Sequence, residues 1–552
     1  MPVATSYPGV YVQEIPSGVH PISGVATSNT AFVDFFPRGP ATGATKITSW
    51  ADFERRFGGL DTRSEASYAI QQYYLNGGSV AFVVRVVTSN ASPAQATLTA
   101  SQYGYGPGYQ YGYGGTGSVI IQASSPGEWG NNLQVAIDHN VKGGATDLFN
   151  IAIREVKTVA NRIQVVRSET FRNLSLDKSN PRYAPDVILQ SSELITLEDK
   201  MIGGVPDQTG SDVINNPQDS DFKPLTGGRD GAWPGAPGSG MTAQDLLGDR
   251  TRHTGVYALD GIAPEIFNIL CIPATALLDD AGRATIFPKA EEYCHGKRGM
   301  YIIDLPASFD DDVSYDAQLN RITKWTANTL DSLRSPNGEN AAVYFPRLNI
   351  PDALTENRPR TVGASGTMAG IWARTDTNRG VWKAPAGIEA GLAGASLFVN
   401  LTDLDNGGLN PLGVNVLRSF PVFGPISWGA RTLMGADQEG SEWKYIPVRR
   451  TALFIEETLF ENLKWVVFEP NDEPLWAQIR LNVGAFMHGL FRRGAFQGKT
   501  SAEAYFVKCD KDTTTQADID NGIVNIVVGF APLKPAEFVI IQIQQIAGQI
   551  QT

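Results

Sequence analysis

The residues that could carry chemistry in this 552-residue chain are few and poorly grouped. Five histidines (His20, His139, His253, His295 and His488) include no H-x-x-x-H pair, and Cys294-His295 is the one adjacent Cys/His pair. Adjacent side chains seldom hold one metal ion without further ligands, so a buried thiol beside a helix end is the favoured reading of that pair. GGRDG (Gly227 to Gly231) has neither the spacing nor the lysine of a phosphate loop, and GASGT at Gly363 has glycine at the wrong offset for a nucleophile elbow. FDDDVSYD (Phe309 to Asp316) lacks the alternating ligands and central glycine of a calcium loop. Its carboxylates suit a helix start, where the dipole stabilises them. Pairs such as Glu456-Glu457 cannot be assigned as acid and base. The expectation is a protein without catalytic residues, metal site or cofactor.

Composition narrows the partners. A net charge of -12 argues against nucleic acid, which needs a basic surface, and suits solubility or docking to basic patches on a protein. Cys271, Cys294 and Cys509 are odd in number and widely spaced, which points to buried reduced thiols and folding in the cytoplasm. Met1-Pro2-Val3 opens no export-type segment, and no apolar run approaches the roughly 20 residues that cross a bilayer. Neither secretion nor membrane insertion is expected. The sequons at Asn90, Asn173 and Asn400 then read as chance.

The elements that would position any site alternate in type along the chain. Thr30 to Phe36 and Val80 to Val87 read as buried strands. Between them lie two capped helices, one starting after Ser49 and ending at Gly58, the other starting after Ser64 and ending at Asn76-Gly77-Gly78. Ser101 to Ser118, almost wholly Tyr, Gly and polar residues, cannot bury a core and reads as a long loop. Short strand-like runs follow to about Leu225, then a Gly/Pro-rich return to Gly240. From about Gly255 to Pro351 the order is strand, helix, strand, helix, strand, with NAAVYFPRLNI as the last strand, which predicts parallel crossovers covered on both faces. Asn471 to Phe491 is the clearest helix: Asn471 or Asp472 caps it, Pro474 sits in its first turn, and Trp476, Ile479, Val483, Phe486 and Leu490 form its apolar stripe. EAYFVKC and GIVNIVVGF predict an antiparallel pair.

The fold class expected is multidomain α/β and α+β. Residues 1–28 are an N-terminal arm, and 29–95 with 241–355 an α/β domain. Residues 96–240 are an inserted mostly-β unit, 356–530 a C-terminal core of helices and antiparallel sheet, and 531–552 a C-terminal arm.

Each arm holds a strand with no partner nearby. YPGVYVQEI (Tyr7, Pro8, Gly9, Val10, Tyr11, Val12, Gln13, Glu14, Ile15) has no hairpin turn to fold the next segment back onto it. AEFVIIQI places Phe538, Ile540 and Gln542 on one face and Val539, Ile541 and Ile543 on the other. Burying its apolar side chains with Ile546 contributes ~9 to 18 kcal/mol, while ordering about ten residues costs ~10 to 20 kcal/mol. The terms nearly cancel, so the hydrogen bonds of a neighbouring sheet decide whether the arm is held. Strand addition to another copy fits.

Several blocks resemble the contractile tail sheath family: YPGVYVQEIPSG with PISGVATSNTAFV, YYLNGGSVAFVVRV, GEWGNNLQV, LTGGRDG, FNILCIP, RPRTVGASGTMAGIWARTDTNRGVWKAPAG, ENLKWVVFEPNDEPLWAQIRLNVGAF and CDKDTTTQADIDNGIVNIVVGFAPLKPAEFVIIQI. They run in order from Tyr7 to Ile546; the insertion from about Ala96 to Leu225 matches least. The resemblance implies a homo-oligomer of stacked six-fold rings forming a helical sleeve. Its implied partners are an inner tube protein and baseplate and cap proteins. Its implied place is a phage tail or phage-like particle assembled in the bacterial cytoplasm.

By the same resemblance, the arm strands of two copies complete a sheet on a third. The accepting hairpin is Ala504, Tyr505, Phe506, Val507 and Lys508 with Ile523, Val524, Asn525, Ile526, Val527 and Val528. Gly18, Gly24, Gly529, Pro532 and Pro535 are the hinge candidates. Glu461, Lys464, Arg480, Arg492 and Arg493 are the tube-contact candidates, with solvated charge an equal reading for each. An enzyme built on a doubly wound α/β domain and a rigid coat or fibre protein remain the alternatives.

Overall fold

A computed structural model describes residues 20–100, 117–160, 162–202, 204–236, 240–311, 313–330 and 334–542. The Tyr7 to Ile15 strand, Gly18, Ile543 and nearly all of the Tyr/Gly tract lie outside them.

The central sheet has eight strands: β1 (Thr30–Asp34), β2 (Thr45–Ile47), β3 (Ala81–Arg85), β4 (Ile269–Cys271), β5 (Met300–Ile303), β6 (Ala341–Phe345), β7 (Asn415–Phe420) and β8 (Gly424–Ser427). They lie in the order β8-β7-β6-β5-β4-β1-β3-β2. Neighbours from β7 to β3 run parallel, and the outer pairs β7–β8 and β3–β2 are antiparallel. Both faces are covered. Phe35, Phe82 and Tyr301 belong to one core, Phe32, Val83 and Tyr344 to the other.

The helices start where local signals place them. Ser49 Oγ accepts from Asp52 N to open α1 (Trp50–Phe57), and Gly58 at φ 97° closes it. Ser64 opens α2 (Glu65–Leu75) in the same way. α3 (Asp280–Gly296) runs through Pro288. α4 (Ser365–Arg379) packs on α2 so closely that a Cβ on Gly366 would lie 2.1 Å from Ala69 O. α5 (Ile446–Asn462) and α6 (Glu473–Arg492, capped by Asp472) build a separate C-terminal core around Ile479, Val483 and Met487.

Two sequence expectations are corrected. NAAVYFPRLNI is two strands in two sheets: β6 ends at Phe345, and Leu348–Asp352 pairs instead with Arg358–Val362 and Ser396–Leu397. Pro346 has no N–H to extend the ladder. β7 and β8, from the stretch read as part of the C-terminal core, extend the central sheet, with Tyr344 and Phe345 opposite Asn415 and Val416. The insertion is a two-sheet β unit with its own core around Leu133, Phe149 and Ile151. Bridges between Ser92 and Arg229 and between Gln95 and Thr226 close its ends together.

Among the described residues no helix is long and apolar enough to cross a membrane.

Candidate docking site

Doubly wound sheets bind ligands outside the carboxyl ends of their strands. Here that edge is filled by buried side chains. Asp34, at the end of β1, accepts from Phe35 N (2.6 Å) and Ala66 N (2.8 Å), capping α2 from across the fold. Asp304, just past β5, accepts from Ser365 N (2.9 Å) and Ser365 Oγ at the start of α4. Burial pushes both carboxyls above the usual range. Arg347 joins Asp310 and the Leu305 carbonyl, each at 2.8 Å. Cys294 is buried in α3, and among the described residues no three His, Cys, Asp or Glu side chains converge as metal ligands.

An open surface lies around the C-terminal core. β9 (Tyr505–Lys508) and β10 (Val527–Phe530) pair antiparallel, Tyr505 opposite Phe530 and Lys508 opposite Val527. They form a two-stranded sheet, so among the described residues both outer edges lack a partner strand. Tyr505, Val507, Val528 and Phe530 pack into the core beside α6, whereas Phe506 on the other face is 48% exposed.

The hairpin is shorter than the sequence suggests. Ala504 ends a short helix opened by a Thr500–Glu503 capping box, and Ile523, Val524, Asn525 and Ile526 lie outside any strand. Asn471 Nδ2 donates to Ile523 O at 2.9 Å and Thr514 Oγ1 accepts from Asn525 N at 3.1 Å, so side chains take backbone groups a ladder would need. Between β10 and α5 runs a groove of about 630 Å³ walled by Leu459, Phe460, Val467, Ile526 and Val528.

The first and last described segments meet this core differently. His20 stacks on Trp465 with ring centroids 4.2 Å apart. Ser23 exchanges hydrogen bonds with the Asn462 side chain (3.1 and 3.0 Å), and Arg450 joins Thr27 O (2.9 Å) to Asp376 (2.6 Å). The segment from His20 to Thr27 is thereby strapped along α5. At the other end, Ala531 N donates to Ala504 O (2.8 Å) and Glu537 meets the buried Arg431 in a two-point ion pair. Beyond that anchor Phe538, Val539, Ile540 and Ile541 form no strand and are 75 to 83% exposed. Burial alone would push the Arg431 guanidinium down, but Glu537 and then Asp437 outweigh it and hold it above its usual range. Tyr445, half-buried beside Glu537, is pushed up by burial first and that carboxylate second.

The hinge candidates sit in packed surroundings. Gly24 faces the Phe454 ring, where a Cβ would lie 3.0 Å from Cζ, and Gly529 sits inside β10 under Phe506. Pro532 bridges to Phe496, and Pro535 lines a cleft at the arm's base. The charges singled out for tube contact are partly engaged. Lys464 pairs with Glu461 at 2.6 Å, and Arg480 holds Glu473 and the Cys509 carbonyl. Arg493 lies over the Trp382 ring at 5.1 Å; Arg492 is exposed at the end of α6. The Arg431–Glu537 anchor is a feature sequence reasoning missed, and no local pattern marks it.

Comparison with known proteins bears on this geometry. Residues 438–546 match the phage tail sheath C-terminal domain family model, which spans α5, α6, the hairpin and the arm's base. The chain is similar to the tail sheath protein of Vibrio phage KVP40 (26% identical over 185 residues) and to a putative prophage major tail sheath protein of Pseudomonas aeruginosa (27% over 195 residues). Those matches cover 33% and 35% of this chain but 26% and 48% of the two relatives, so the chain spans about a quarter and half of their lengths.

The solved structures extend the likeness to the whole fold. The contracted PVC sheath complex of an extracellular contractile injection system matches over 98% of both chains (20% identity, TM-score 0.54). The contracted helical sheath of the anti-feeding prophage matches over 98% of this chain and 100% of its own (22%, 0.52). A sheath tail protein from Listeria innocua matches over 93% and 96% (13%, 0.55). Residues 438–546 thus resemble the phage tail sheath C-terminal domain family, and over 93% or more of its length the chain shares the fold of these sheath structures.

Proposed function

We propose that this chain is the structural subunit of a contractile sheath. It polymerises as stacked six-fold rings around an inner tube, with baseplate and cap proteins at the ends, in a phage tail or phage-like particle assembled in the bacterial cytoplasm. Its work is mechanical, without catalysis or cofactor: contraction drives the tube through a target envelope. The observation that carries this reading is the pairing of an unsatisfied donor with an unsatisfied acceptor. Phe538 to Ile541 stand exposed beyond a fixed anchor, and among the described residues the β9–β10 hairpin has no partner strand on either edge, beside an apolar groove. An exposed apolar segment and an open sheet edge are each aggregation hazards that strand addition between copies removes.

In this reading Phe538 to Ile543 and Val10 to Glu14 are donors, and Tyr505 to Lys508 with Val527 to Phe530 the acceptor. Bending during contraction falls between the Glu537 anchor and the donated strand, and between the donated N-terminal strand and the strap on α5; Gly18 and Pro535 flank those places. Arg492 and the Glu461–Lys464 pair remain the candidates for weak polar contacts to the tube.

The test is deletion of residues 536–552. The expected product is a folded monomer that no longer forms tubes by electron microscopy. Normal-length tubes from the truncated chain, or wild-type chain that stays monomeric under all assembly conditions, would refute the reading.

A further inference from the structure

At the base of the C-terminal arm lies a cleft of about 670 Å³ roofed by Leu533 to Phe538. Its walls include two tryptophans, Trp382 and Trp428, and four cations, Arg379, Lys383, Arg493 and Lys534. Arg379 is neutralised by Glu389 at 2.6 Å, and the cleft's own carboxylate, Glu537, is taken by Arg431. Lys383 donates to the carbonyls of Ala384 (2.8 Å) and Ala386 (3.3 Å), and burial lowers its pKa. Arg493 rests on the Trp382 ring. Among the described residues Arg493 and Lys534 form no ion pair, while Lys383 lies within the influence of Glu389, the carboxylate that Arg379 holds. These cations stand together in a chain whose net charge is -12.

The opposite sign gathers at the other end of α6. Asp472 caps that helix, and the segment from Asp510 to Asp520, a turn followed by the short helix Gln516–Asp520, lies against its first half, where Arg480 reaches the Cys509 carbonyl. Asp510 accepts from the backbone N–H of Asp512 and Thr513, Asp518 from Thr515, and Asp520 from the Gln516 amide, all neutral donors. The cations beside these carboxylates are Lys508 and Lys511 and, next to Asp510, Arg480. The acidic segment meets α6 at Arg480 and the cleft holds Arg493 just past its end, so within one copy about 20 Å of rigid helix keeps the two apart.

We infer that the cationic cleft receives the Asp510–Asp520 segment of a second copy. Charge complementarity selects the occupant: the subunit carries an acidic pole and a basic socket that cannot meet in one molecule. A head-to-tail contact of this kind is heterologous, the type that builds rings and helical stacks. The inference rests on the reading of the chain as a self-assembling subunit, and adds a contact separate from strand addition. It assigns Arg493 to a contact between copies in place of the tube. Lys383, fastened to two carbonyls, orients the socket, while Lys534 and Arg493 supply the accessible charge.

The experiment uses full-length chain whose wild-type form is first seen to polymerise, so that failure of the subunit reading is recognised on its own. The variants are Arg493→Glu with Lys534→Glu, Asp512→Lys with Asp520→Lys, and all four changes in one chain. Each pair alone is expected to raise the concentration needed for polymerisation about tenfold at low salt, because like charges then face each other. The four-fold variant is expected to recover to within about twofold of wild type. Circular dichroism and melting confirm that each variant folds. Pairs that assemble like wild type, or a folded four-fold variant that does not recover, overturn the inference. Inorganic polyphosphate is the competing anion; if it binds the socket and the charge swap fails to restore assembly, the socket serves a free anion and the inference is wrong.

Discussion

Arg431 and Glu537, 106 residues apart in sequence, meet through two hydrogen bonds of 2.8 and 2.6 Å at the point where the C-terminal arm leaves the core. Arg431 is 1% exposed and also donates to the carbonyls of Asn410 (2.9 Å) and Gly435 (3.1 Å), so its fork is held before the arm arrives. The pair fixes where the packed chain ends and the exposed apolar segment Phe538 to Ile541 begins.

Removing one partner of such a pair leaves a buried charge or carbonyl unsatisfied. Arg431→Ala is expected to cost ~3 to 5 kcal/mol in urea unfolding. Glu537→Gln is expected to cost less, but to raise amide exchange across Leu533 to Glu537. Lys444→Ala, which breaks a more exposed pair with Asp437, is expected to cost ~1 kcal/mol or less. Equal effects of Arg431→Ala and Lys444→Ala would show that the anchor is incidental.

Glu291 on α3 predicts a pH dependence. Its side chain is fully buried, Ser335 Oγ donates to Oε2 at 2.5 Å, and Oε1 has no partner among the described residues. Burial pushes its carboxyl from an ordinary 4.5 up to about 8, against the hydrogen bond from Ser335. The folded state therefore holds this proton more tightly than the unfolded chain. The stabilisation is complete below pH 4.5 and is lost as pH rises through about 8. Glu291→Gln keeps a neutral side chain at every pH, so its stability is expected to fall less than that of wild type between pH 5 and 8. The difference should be on the order of 2 to 5 kcal/mol. Denaturant melts at pH 5, 6.5 and 8 measure it, and parallel curves for the two proteins would contradict the assignment.

Asp304 caps α4 from the end of β5, and Gly363 makes room for it: a Cβ at Gly363 would lie 2.3 Å from Asp304 Oδ1. Asp304→Ala removes both acceptors from Ser365 and is expected to cost ~1 to 3 kcal/mol. Asp304→Asn, which keeps one acceptor, is expected to fall between that variant and wild type. A silent Asp304→Ala in thermal and urea melts would mean that Ser365 finds another acceptor.

Gly366 permits the close crossing of α4 over α2. Gly366→Ala pushes a methyl into the Ala69 carbonyl at 2.1 Å and should destabilise by ~1 to 3 kcal/mol. Gly407→Ala, where a Cβ meets nothing within 4 Å, serves as the control and should be neutral or slightly stabilising.

The legible parts of this fold were those written within a few residues of each other. Ser49, Ser64 and Asp472 cap the helices expected of them, and Gly58 closes α1, because caps act between a side chain and an amide one to three positions on. The β-branched run of β3 marked a buried strand, and the alternation of strand and helix through β4, β5 and β6 predicted their parallel pairing. Pro346 marked a break that went unread, and GASGT, dismissed as a failed elbow, is the passage that lets Asp304 reach α4. The hairpin was placed correctly but drawn too long, since Asn471 and Thr514, distant in sequence, claim its backbone groups.

Local hydrogen bonding and side-chain periodicity are short-range interactions, so the order of amino acids alone specifies which segments become helix or strand and where each starts. The addition of β7 and β8 to the central sheet, the remote capping of α2 and α4 by Asp34 and Asp304, and the anchoring of Glu537 by Arg431 join residues tens to more than a hundred positions apart. Such contacts form only when packing has fixed the elements in space, because the entropy of closing a long loop must be offset by several contacts at once. No pattern along the chain records them.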